Sequence, residues 1–567
     1  EVEPAEVGLA EVGPAEVPRE AWHDFLARSG ERVRAAGVAD EAAALLECFQ
    51  TTPDVGLTFA AFARLFLLAA PPAAGQQQAA PWASGAAGAR PWRFPYQAIG
   101  QLPAGGGWKA QKLWKLLDDR AARPEYAEAA CSRGRLRGKR CLVVGAGPCG
   151  LRAAIELRLL GAEVVLTEQR CDFSRINQLH IWSWCGEDLK GLGARLIEPP
   201  PKDFGANPDL LVISISDLQK LLLKVALLVG VDVRMGVEYD SMSRAPGGWQ
   251  ATIRPANVQS VEGRAGEACR TPRGAGRMPP SPLCPGEVPD VSVLIGSGGF
   301  ASSLGEEMGM RTLETESLRK ESAIGLVCNI ARTHGKGESK LRSFSMARQF
   351  YARLFQQLRE KTGLDLENIV YVKAAAAHYF VMTPTPKSLV ETGVARDAAC
   401  RPLLSPDNID QERLAELVRS VASYELKEGE PAVLEAVTSD AGRFPGWADS
   451  GPRLFDFSKM RRSQDGLLFL PPGEGREEEE SLLVALVGDA LMEPFWPEGL
   501  GIMRGFFGAL DACHAVRRWS DGATALETQE QYQKCYQQLK TLSAATRANV
   551  LRPDERSYAL EPSSRYR

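Results

Sequence analysis

The stretch CLVVGAGPCGLRAAIELRLLGAEVVLTEQR, residues 141–170, decides the fold of this chain. Cys141–Val144 has the apolar composition of a buried parallel strand, and Leu151–Leu160 is rich in residues that favour a helix. Val164–Leu166 then forms a second apolar strand. A strand, a helix and a second strand within about 30 residues are typical of a βαβ unit. The stretch therefore predicts an α/β protein with a Rossmann-like nucleotide-binding sheet.

Three glycines and one acid in this stretch indicate what it binds. Gly145, Gly147 and Gly150 have the G-x-G-x-x-G spacing, and Glu168 follows the second strand. The first glycine permits a tight turn, the second lets a pyrophosphate approach the backbone, and the third lets the helix pack closely on the strand. The helix N-terminus offers free N–H groups to the phosphates, and Glu168 can accept hydrogen bonds from a ribose diol. This pattern predicts a dinucleotide site but leaves open which dinucleotide is bound.

Two later strands also end in glycine. The junctions are Val144–Gly145, Ile295–Gly296 and Val487–Asp489, and they are spread over most of the chain. In an open α/β sheet, ligands bind at the carboxyl ends of the strands. We therefore expect the three junctions to form one nucleotide site.

The third junction carries a pattern that suits a flavin. Asp489 ends the strand and can accept a hydrogen bond from a ribityl hydroxyl, while the glycine-rich bend Pro494–Gly501 leads into a helix. The helix N-terminus after Gly499 and Gly501 would stabilise negative charge on a reduced flavin. A ligand-free alternative is that Asp489 only caps its helix.

Composition excludes several classes of function. The chain has 567 residues, 44% of them hydrophobic, and a formal net charge of −4, which does not favour nucleic acid. Its twelve cysteines form no C-x-x-C pair and no zinc-spaced cluster with histidine, so we expect no metal and a reducing, cytoplasmic setting. The apolar run at 59–70 is too short to cross a membrane. The sequence begins with Glu1 rather than Met, as a fragment or a processed product would.

Changes in composition divide the chain into three parts. The predicted parts are a disordered and helical N-terminal extension with a linker (1–92), a nucleotide-binding domain (93–322 and 470–567, with an insertion at 254–290) and a smaller α+β domain (323–469). Within the third part, the sequence predicts a helix over Phe344–Thr362 and another over 409–424, capped by Asp407 or Asn408.

Eight segments give the chain a family resemblance. They are WKAQKLWKLLDDRA (108–121), CLVVGAGPCGLRAA (141–154), FSRINQLHIW (173–182), LQKLLLKVALLVGV (218–231), GLDLENIVY (363–371), HYFVMT (378–383), FDFSKM (455–460) and LVGDALMEPFWPEGLGIMRGF (486–506). With them the chain resembles the flavin monooxygenase domain of the MICAL proteins, which is similar in fold to p-hydroxybenzoate hydroxylase. The resemblance implies an FAD-binding domain of that type with a smaller substrate domain.

At matching positions the resemblance implies roles for individual residues. Cofactor-binding roles fall on the three loop glycines, the Cys149 backbone near the pyrophosphate, Glu168 and Arg170 at the adenosine ribose, Arg175 and Asn177 at the flavin, Tyr379 beside the ring, Asp489 at the ribityl chain, and Gly499 and Gly501. Catalytic roles fall on Asn177, Tyr379 and Trp496, the last as a mobile aromatic residue beside the flavin. The chain departs from the family at Ser216, where relatives usually carry Arg, at Ala374–Ala377, where acidic residues are usual, and at Leu500, which replaces a Thr.

The resemblance also implies a reaction. FAD would take hydride from the cosubstrate NADPH and react with dioxygen, and one oxygen atom would pass to a methionine of actin. Filament disassembly, release of hydrogen peroxide and a cytoplasmic, cytoskeleton-associated location would follow. Two alternatives remain open at this point: a small-molecule aromatic hydroxylase of the same fold, and a flavin-bound scaffold with little turnover, which Ser216 and Ala374–Ala377 favour.

Overall fold

The computed structural model of this chain describes most of its residues. The described ranges are 38–69, 93–103, 107–127, 136, 138–194, 210–246, 248–256, 286–316, 324–438, 443–457, 459–472, 481–494, 500–543, 545–553 and 558–567. Most of the predicted N-terminal extension lies outside these ranges, and so does most of the predicted insertion at 254–290, whose two ends are described at 254–256 and 286–290.

The described residues form fifteen α-helices and seventeen strands. The helices are α1 (Val38–Thr51), α2 (Val55–Ala69), α3 (Pro95–Ile99), α4 (Trp108–Ala121), α5 (Pro148–Leu159), α6 (Ser183–Gly191), α7 (Ile215–Val229), α8 (Leu304–Glu307), α9 (Ala352–Thr362), α10 (Pro386–Glu391), α11 (Gln411–Ala422), α12 (Val433–Val437), α13 (Gly501–Ser520), α14 (Ala525–Thr541) and α15 (Arg547–Val550). The strands are β1 (Arg140–Val144), β2 (Glu163–Glu168), β3 (Gln178–Trp182), β4 (Leu210–Ser214), β5 (Asp232–Met235), β6 (Val237–Ala245), β7 (Gly248–Pro255), β8 (Gly286–Gly296), β9 (Thr312–Glu316), β10 (Ile324–Ala331), β11 (Phe344–Ala347), β12 (Leu366–Lys373), β13 (Ala377–Pro384), β14 (Arg453–Asp456), β15 (Lys459–Ser463), β16 (Leu467–Leu470) and β17 (Leu482–Leu486).

The first sheet contains the predicted βαβ unit. Its strand order is β16-β17-β8-β1-β2-β5, with the β6–β7 hairpin added through β8. Strands β17, β8, β1, β2 and β5 run parallel, and β16 is antiparallel to β17. The middle residues of β1 and β17 are fully buried, as the continuous apolar runs of strands covered on both faces require. Helix α5 packs against both α7 and α13. The α/β fold class predicted from the sequence is confirmed.

The second sheet is antiparallel, with strand order β11-β12-β13-β10-β14. Strand β10 shows how its two faces differ. Leu326, Cys328 and Ile330 belong to an apolar core shared with α9 and α11, while Val327 belongs to a separate cluster that includes Val212 of β4. One face is therefore covered by helices, and the other meets the nucleotide-binding part of the chain.

Two predicted helices of this part need correction. Residues 344–347 are strand β11, in which Phe344 pairs with Tyr371 of β12, and α9 begins only at Ala352. The alternation of the large apolar residues Phe344 and Met346 with the small residues Ser345 and Ala347 suits a strand better than the helix predicted there. The helix predicted at 409–424 spans Gln411–Ala422.

The residue that caps helix α11 is neither Asp407 nor Asn408, the two caps predicted from the sequence. Asp410 caps this helix, since its carboxylate accepts from the Arg413 N–H at 3.1 Å. The Asn408 amide instead bonds the carbonyls of Asp397 and Leu403, so it is not available as a cap.

A buried network of charged side chains joins the helices around the βαβ unit. Arg152 of α5 donates to Asp188 of α6 at 2.9 Å and to Glu156 at 2.5 Å, and Arg120 of α4 donates to Asp188 at 2.8 Å. The Tyr126 hydroxyl donates to Glu156. Arg152 and Glu156 are 2% and 0% exposed, so two cations and two anions neutralise each other away from water.

Candidate flavin site

The three glycine-bearing strand ends lie side by side. In the parallel pairing, Val144 of β1 faces Gly296 of β8, and Gly296 faces Leu486 of β17. The Ser297 N–H donates to the Val144 carbonyl at 2.8 Å, and the Val487 N–H donates to the Gly296 carbonyl at 2.9 Å. The expected convergence of the three strand ends is confirmed; in open α/β sheets the crevice outside such carboxyl ends is where ligands bind.

The three loop glycines differ in what surrounds them. Gly145 has a φ of +104°, and a Cβ atom there would lie 2.7 Å from the Ser297 carbonyl oxygen. A Cβ on Gly150 would lie 2.1 Å from the Gly145 carbonyl oxygen. A Cβ on Gly147 would touch only the Ser297 oxygen, at 3.8 Å. The fold itself requires the first and third glycines, whereas at Gly147 the described residues leave room for more than a Cβ atom. A pyrophosphate fits this opening.

Helix α5 begins at this opening. Gly147 is its N-cap residue, with φ −62° and ψ 164°, and Pro148 occupies the first turn. No side chain caps this end, so its first backbone N–H groups remain available to an anion.

The Cys149 thiol is enclosed by glycines from two other elements. A Cβ on Gly505 of α13 would lie 2.3 Å from the Cys149 sulfur, and one on Gly488 would lie 3.1 Å from it. Burial raises the pKa of this thiol far above its usual value. Its side chain therefore packs between α13 and the end of β17.

Glu168 is the last residue of β2, and it points back to residues 145–150, the predicted phosphate loop. Its Oε2 atom accepts from the Ala146 N–H at 2.8 Å, and its Oε1 atom accepts from the Arg170 Nε atom at 2.8 Å. Burial alone would raise the pKa of this carboxyl, but the hydrogen bonds from Arg170 and from the Ala146 N–H hold it below its usual range. Glu168 thus ties the loop between β1 and α5 to the end of β2, beside the predicted ribose position.

Asp489 lies in a 3-10 turn, Gly488–Ala490, directly after β17. Its side chain is exposed, and no described residue donates a hydrogen bond to its carboxylate. Although Asp489 is exposed, the protein around its carboxyl group partly removes that group from water and raises its pKa to about 6. Arg175 opposes this rise, and Glu493 adds to it. A carboxylate at a strand end with no partner among the described residues fits a ligand that carries hydroxyl groups.

We expect Asp489→Ala to weaken FAD binding about 10- to 100-fold, the effect of losing one hydrogen bond to a charged group. Titration of the apoprotein with FAD at pH 7.5, where the carboxylate is ionised, measures this. Asp489→Asn is the matched control because it keeps an acceptor oxygen, so it should lose less affinity. Equal affinity in all three proteins would mean that Asp489 has only a structural role in its turn.

Asn177 and Tyr379 meet where the two sheets approach each other. The Asn177 Oδ1 atom accepts from the Asn329 side-chain amide of β10 at 3.2 Å, and Tyr379 of β13 pairs directly with Asn329. Tyr379 is buried beside Val212, and burial raises the pKa of its hydroxyl well above its usual value. Arg175 is exposed on the segment that leads to Asn177. The structure thus brings these three predicted residues to one junction.

Four residues of this region were missed by the sequence reasoning as site residues. Ser297 holds the phosphate loop by donating to the Gly145 carbonyl at 2.6 Å. Buried Ser216 donates to the Phe173 carbonyl at 2.7 Å and so anchors the segment that carries Arg175. Asn329 and Asp449 share a hydrogen bond of 2.8 Å. The available signals were the position of Ser297 just after the second junction and an Asn within the apolar strand IGLVCNIA.

The bend after Asp489 is described only in part. Trp496 and Gly499 lie outside the described residues. A Cβ on Gly501, the first residue of α13, would lie 2.8 Å from the Pro494 Cβ atom, so the two ends of the bend touch.

The described ranges contain neither a candidate metal cluster nor a candidate membrane-spanning helix. No described group of three or more His, Cys, Asp or Glu side chains could hold a metal ion. Across the same ranges, no helix combines the length and the apolar character that crossing a membrane requires.

Comparison with known proteins finds similarity to the MICAL proteins. Residues 322–441, which hold most of the second sheet, match the family described as "Mical, Rossman domain". The chain is 36% identical over 468 residues to F-actin monooxygenase mical1 of Danio rerio, covering 81% of this chain and 34% of that protein. It is 37% identical over 473 residues to protein-methionine sulfoxide oxidase mical3b of Danio rerio (81% and 25%) and 36% identical over 473 residues to F-actin monooxygenase MICAL3 of Homo sapiens (81% and 21%).

The chain spans about a third or less of the length of these relatives. Among solved structures, 2-methyl-3-hydroxypyridine-5-carboxylic acid oxygenase aligns with 75% of this chain and 95% of its own, at 17% identity and a TM-score of 0.42.

Proposed function

We propose that this chain, which belongs to the MICAL family over the 81% of its length that aligns with those relatives, is an FAD- and NADPH-dependent monooxygenase. Its proposed substrate is a methionine side chain of filamentous actin, which it oxidises to the sulfoxide and so promotes filament disassembly. The relatives named F-actin monooxygenase and protein-methionine sulfoxide oxidase support this choice. The proposed location is the cytoplasm, in association with the cytoskeleton.

The observation that carries the proposal is the crevice at the ends of β1, β8 and β17. Gly147 leaves the backbone open to a pyrophosphate at the start of α5. Asp489 offers an acceptor without a described partner at the end of β17, which β8 separates from β1, where a ribityl chain would pass. The two features support FAD, since a ligand that reaches both needs a pyrophosphate and a polyhydroxyl chain.

When bound, FAD would accept hydride from NADPH and activate dioxygen for transfer of one oxygen atom. The balanced reaction consumes methionine, dioxygen, NADPH and one proton, and yields methionine sulfoxide, water and NADP⁺. Hydrogen peroxide is the product when no acceptor is oxidised. The residues of this chain bind and orient the cofactor and keep water away from it. In the proposal, Glu168 and Arg170 lie at the ribose, Arg175 and Asn177 at the flavin and Tyr379 beside the ring.

NADPH oxidation with and without filamentous actin tests the proposal. We expect actin filaments to stimulate NADPH oxidation several-fold and monomeric actin to do so less. Phenols should have no effect, and their activation of the enzyme would instead favour a small-molecule aromatic hydroxylase. An FAD-loaded protein that oxidises no NADPH under any of these conditions would contradict the proposal and favour a scaffold.

A further inference from the structure

Three polar side chains from distant segments meet at the junction of the two sheets. Asn177 follows β2, Asn329 lies in the middle of β10, and Asp449 precedes β14. The Asn329 Nδ2 atom donates to the Asp449 Oδ2 atom at 2.8 Å and to the Asn177 Oδ1 atom at 3.2 Å. Asp449 also accepts from the Gly451 N–H at 3.1 Å through its other oxygen. The three residues therefore form one continuous hydrogen-bonded chain.

Asn329 occupies a place that favours an apolar residue. It is 0% exposed, on the sheet face that also carries Val327 and Tyr379. Burying an amide in such a place costs free energy that hydrogen bonds only offset. No described residue donates to its Oδ1 atom, which is itself buried. Stability alone does not account for an asparagine here, whereas the direction of its hydrogen bonds does have a consequence for Asn177.

The charge of Asp449 sets that direction. A carboxylate only accepts hydrogen bonds, so Asn329 must turn its NH₂ group towards it. The same NH₂ group reaches Asn177, which must therefore turn its carbonyl oxygen towards Asn329. What Asn177 can then offer to a ligand is its own N–H group, for which the described residues supply no acceptor.

We propose that Asp449 and Asn329 are positioning residues that act through Asn177 and keep its amide N–H, rather than its carbonyl, available to the flavin. The inference rests on the proposed function, in which Asn177 faces the flavin. An N–H donor stabilises the negative charge that a flavin gains on reduction, whereas a carbonyl oxygen opposes it. The amide is neutral at every accessible pH, so its direction and not its ionisation is what the carboxylate controls.

The midpoint potential of the bound flavin tests this positioning role. In Asp449→Asn, nothing fixes the direction of the hydrogen bonds from residue 449 through Asn329 to Asn177. We therefore expect the midpoint potential of the flavin to fall by about 30 mV, which for a two-electron couple equals a tenfold change in the equilibrium constant. Simple removal of a nearby negative charge predicts the opposite sign, a rise. Asn329→Leu, of similar volume and without a change of charge, should show the same fall.

Two comparisons make the test decisive. On an Asn177→Ala background, Asp449→Asn should no longer lower the potential, because its effect passes through the missing amide. The matched control is Asn368→Leu on β12, whose side chain bonds Thr383 at 3.3 Å and not Asn177; it should leave the potential unchanged. An equal fall on both backgrounds, a rise or no change in Asp449→Asn, or loss of flavin from both Asp449→Asn and Asn329→Leu would overturn the inference. A parent protein without FAD would instead contradict the proposed function.

Discussion

Gly147→Trp is expected to abolish FAD binding while the apoprotein remains folded. The position has ordinary backbone angles, and among the described residues its added Cβ would meet one atom, the Ser297 carbonyl oxygen, at 3.8 Å. An indole attached there would occupy the space through which the pyrophosphate reaches the start of α5. Flavin absorbance after reconstitution with FAD measures binding, and the far-ultraviolet circular dichroism spectrum measures folding. We expect flavin content below about a tenth of the parent, the result of losing well over 1.4 kcal/mol of binding free energy.

Substitutions with alanine provide the matched controls for this prediction. Gly147→Ala should leave the stability of the apoprotein unchanged, because its Cβ makes an ordinary van der Waals contact with the protein, and its small side chain should lower FAD affinity less than Gly147→Trp does. Gly150→Ala should lose stability as well as flavin, because its Cβ would lie 2.1 Å from the Gly145 carbonyl oxygen. Full flavin content in Gly147→Trp would refute the assignment of residues 145–150 as the phosphate loop.

Arg152→Met should lower the free energy of unfolding of the apoprotein by about 3–5 kcal/mol, which is typical when one partner of a buried ion pair is removed. The change leaves Asp188 and Glu156 without their shared cation, although both are nearly excluded from water. The arginine pairs hold the pKa of Asp188 far below its usual range, against the effect of burial. Asp188 would then be charged and only partly paired, through Arg120, at neutral pH.

Urea unfolding, followed by tryptophan fluorescence, measures the effect. The control is Lys115→Met on α4, which removes the 3.1 Å pair with Asp119, whose two side chains are 75% and 60% exposed. Such an exposed pair contributes about 1 kcal/mol or less. If Arg152→Met cost no more than Lys115→Met, the network would not be what holds α4, α5 and α6 together.

The sequence was most informative where a signal is local. The βαβ unit was predictable because its glycine spacing and apolar runs lie within 30 residues, 141–170. Strand β11 was missed because Phe344–Ala347 is short and precedes a run with helical periodicity, so its pairing with β12 decides its structure. The cap at Asp410 was missed because three candidate residues stand within four positions, and only their tertiary contacts distinguish them.

Contacts between distant segments were beyond the reach of sequence reasoning. Asn177 and Asn329 are 152 positions apart, and nothing in either segment indicates the other. The same holds for Arg152 and Asp188, whose pairing depends on how α5 and α6 are placed by the sheet. The resemblance to a known family supplied roles for residues at the crevice, but it did not supply the side chains that hold them.

Mass spectrometry of filamentous actin after incubation with the FAD-loaded protein, NADPH and isotopically heavy dioxygen tests the proposed function most directly. We predict that a methionine peptide of actin gains one heavy oxygen atom, that the gain requires NADPH, and that Gly147→Trp abolishes it. NADPH consumption without heavy oxygen in any actin methionine would contradict the proposal.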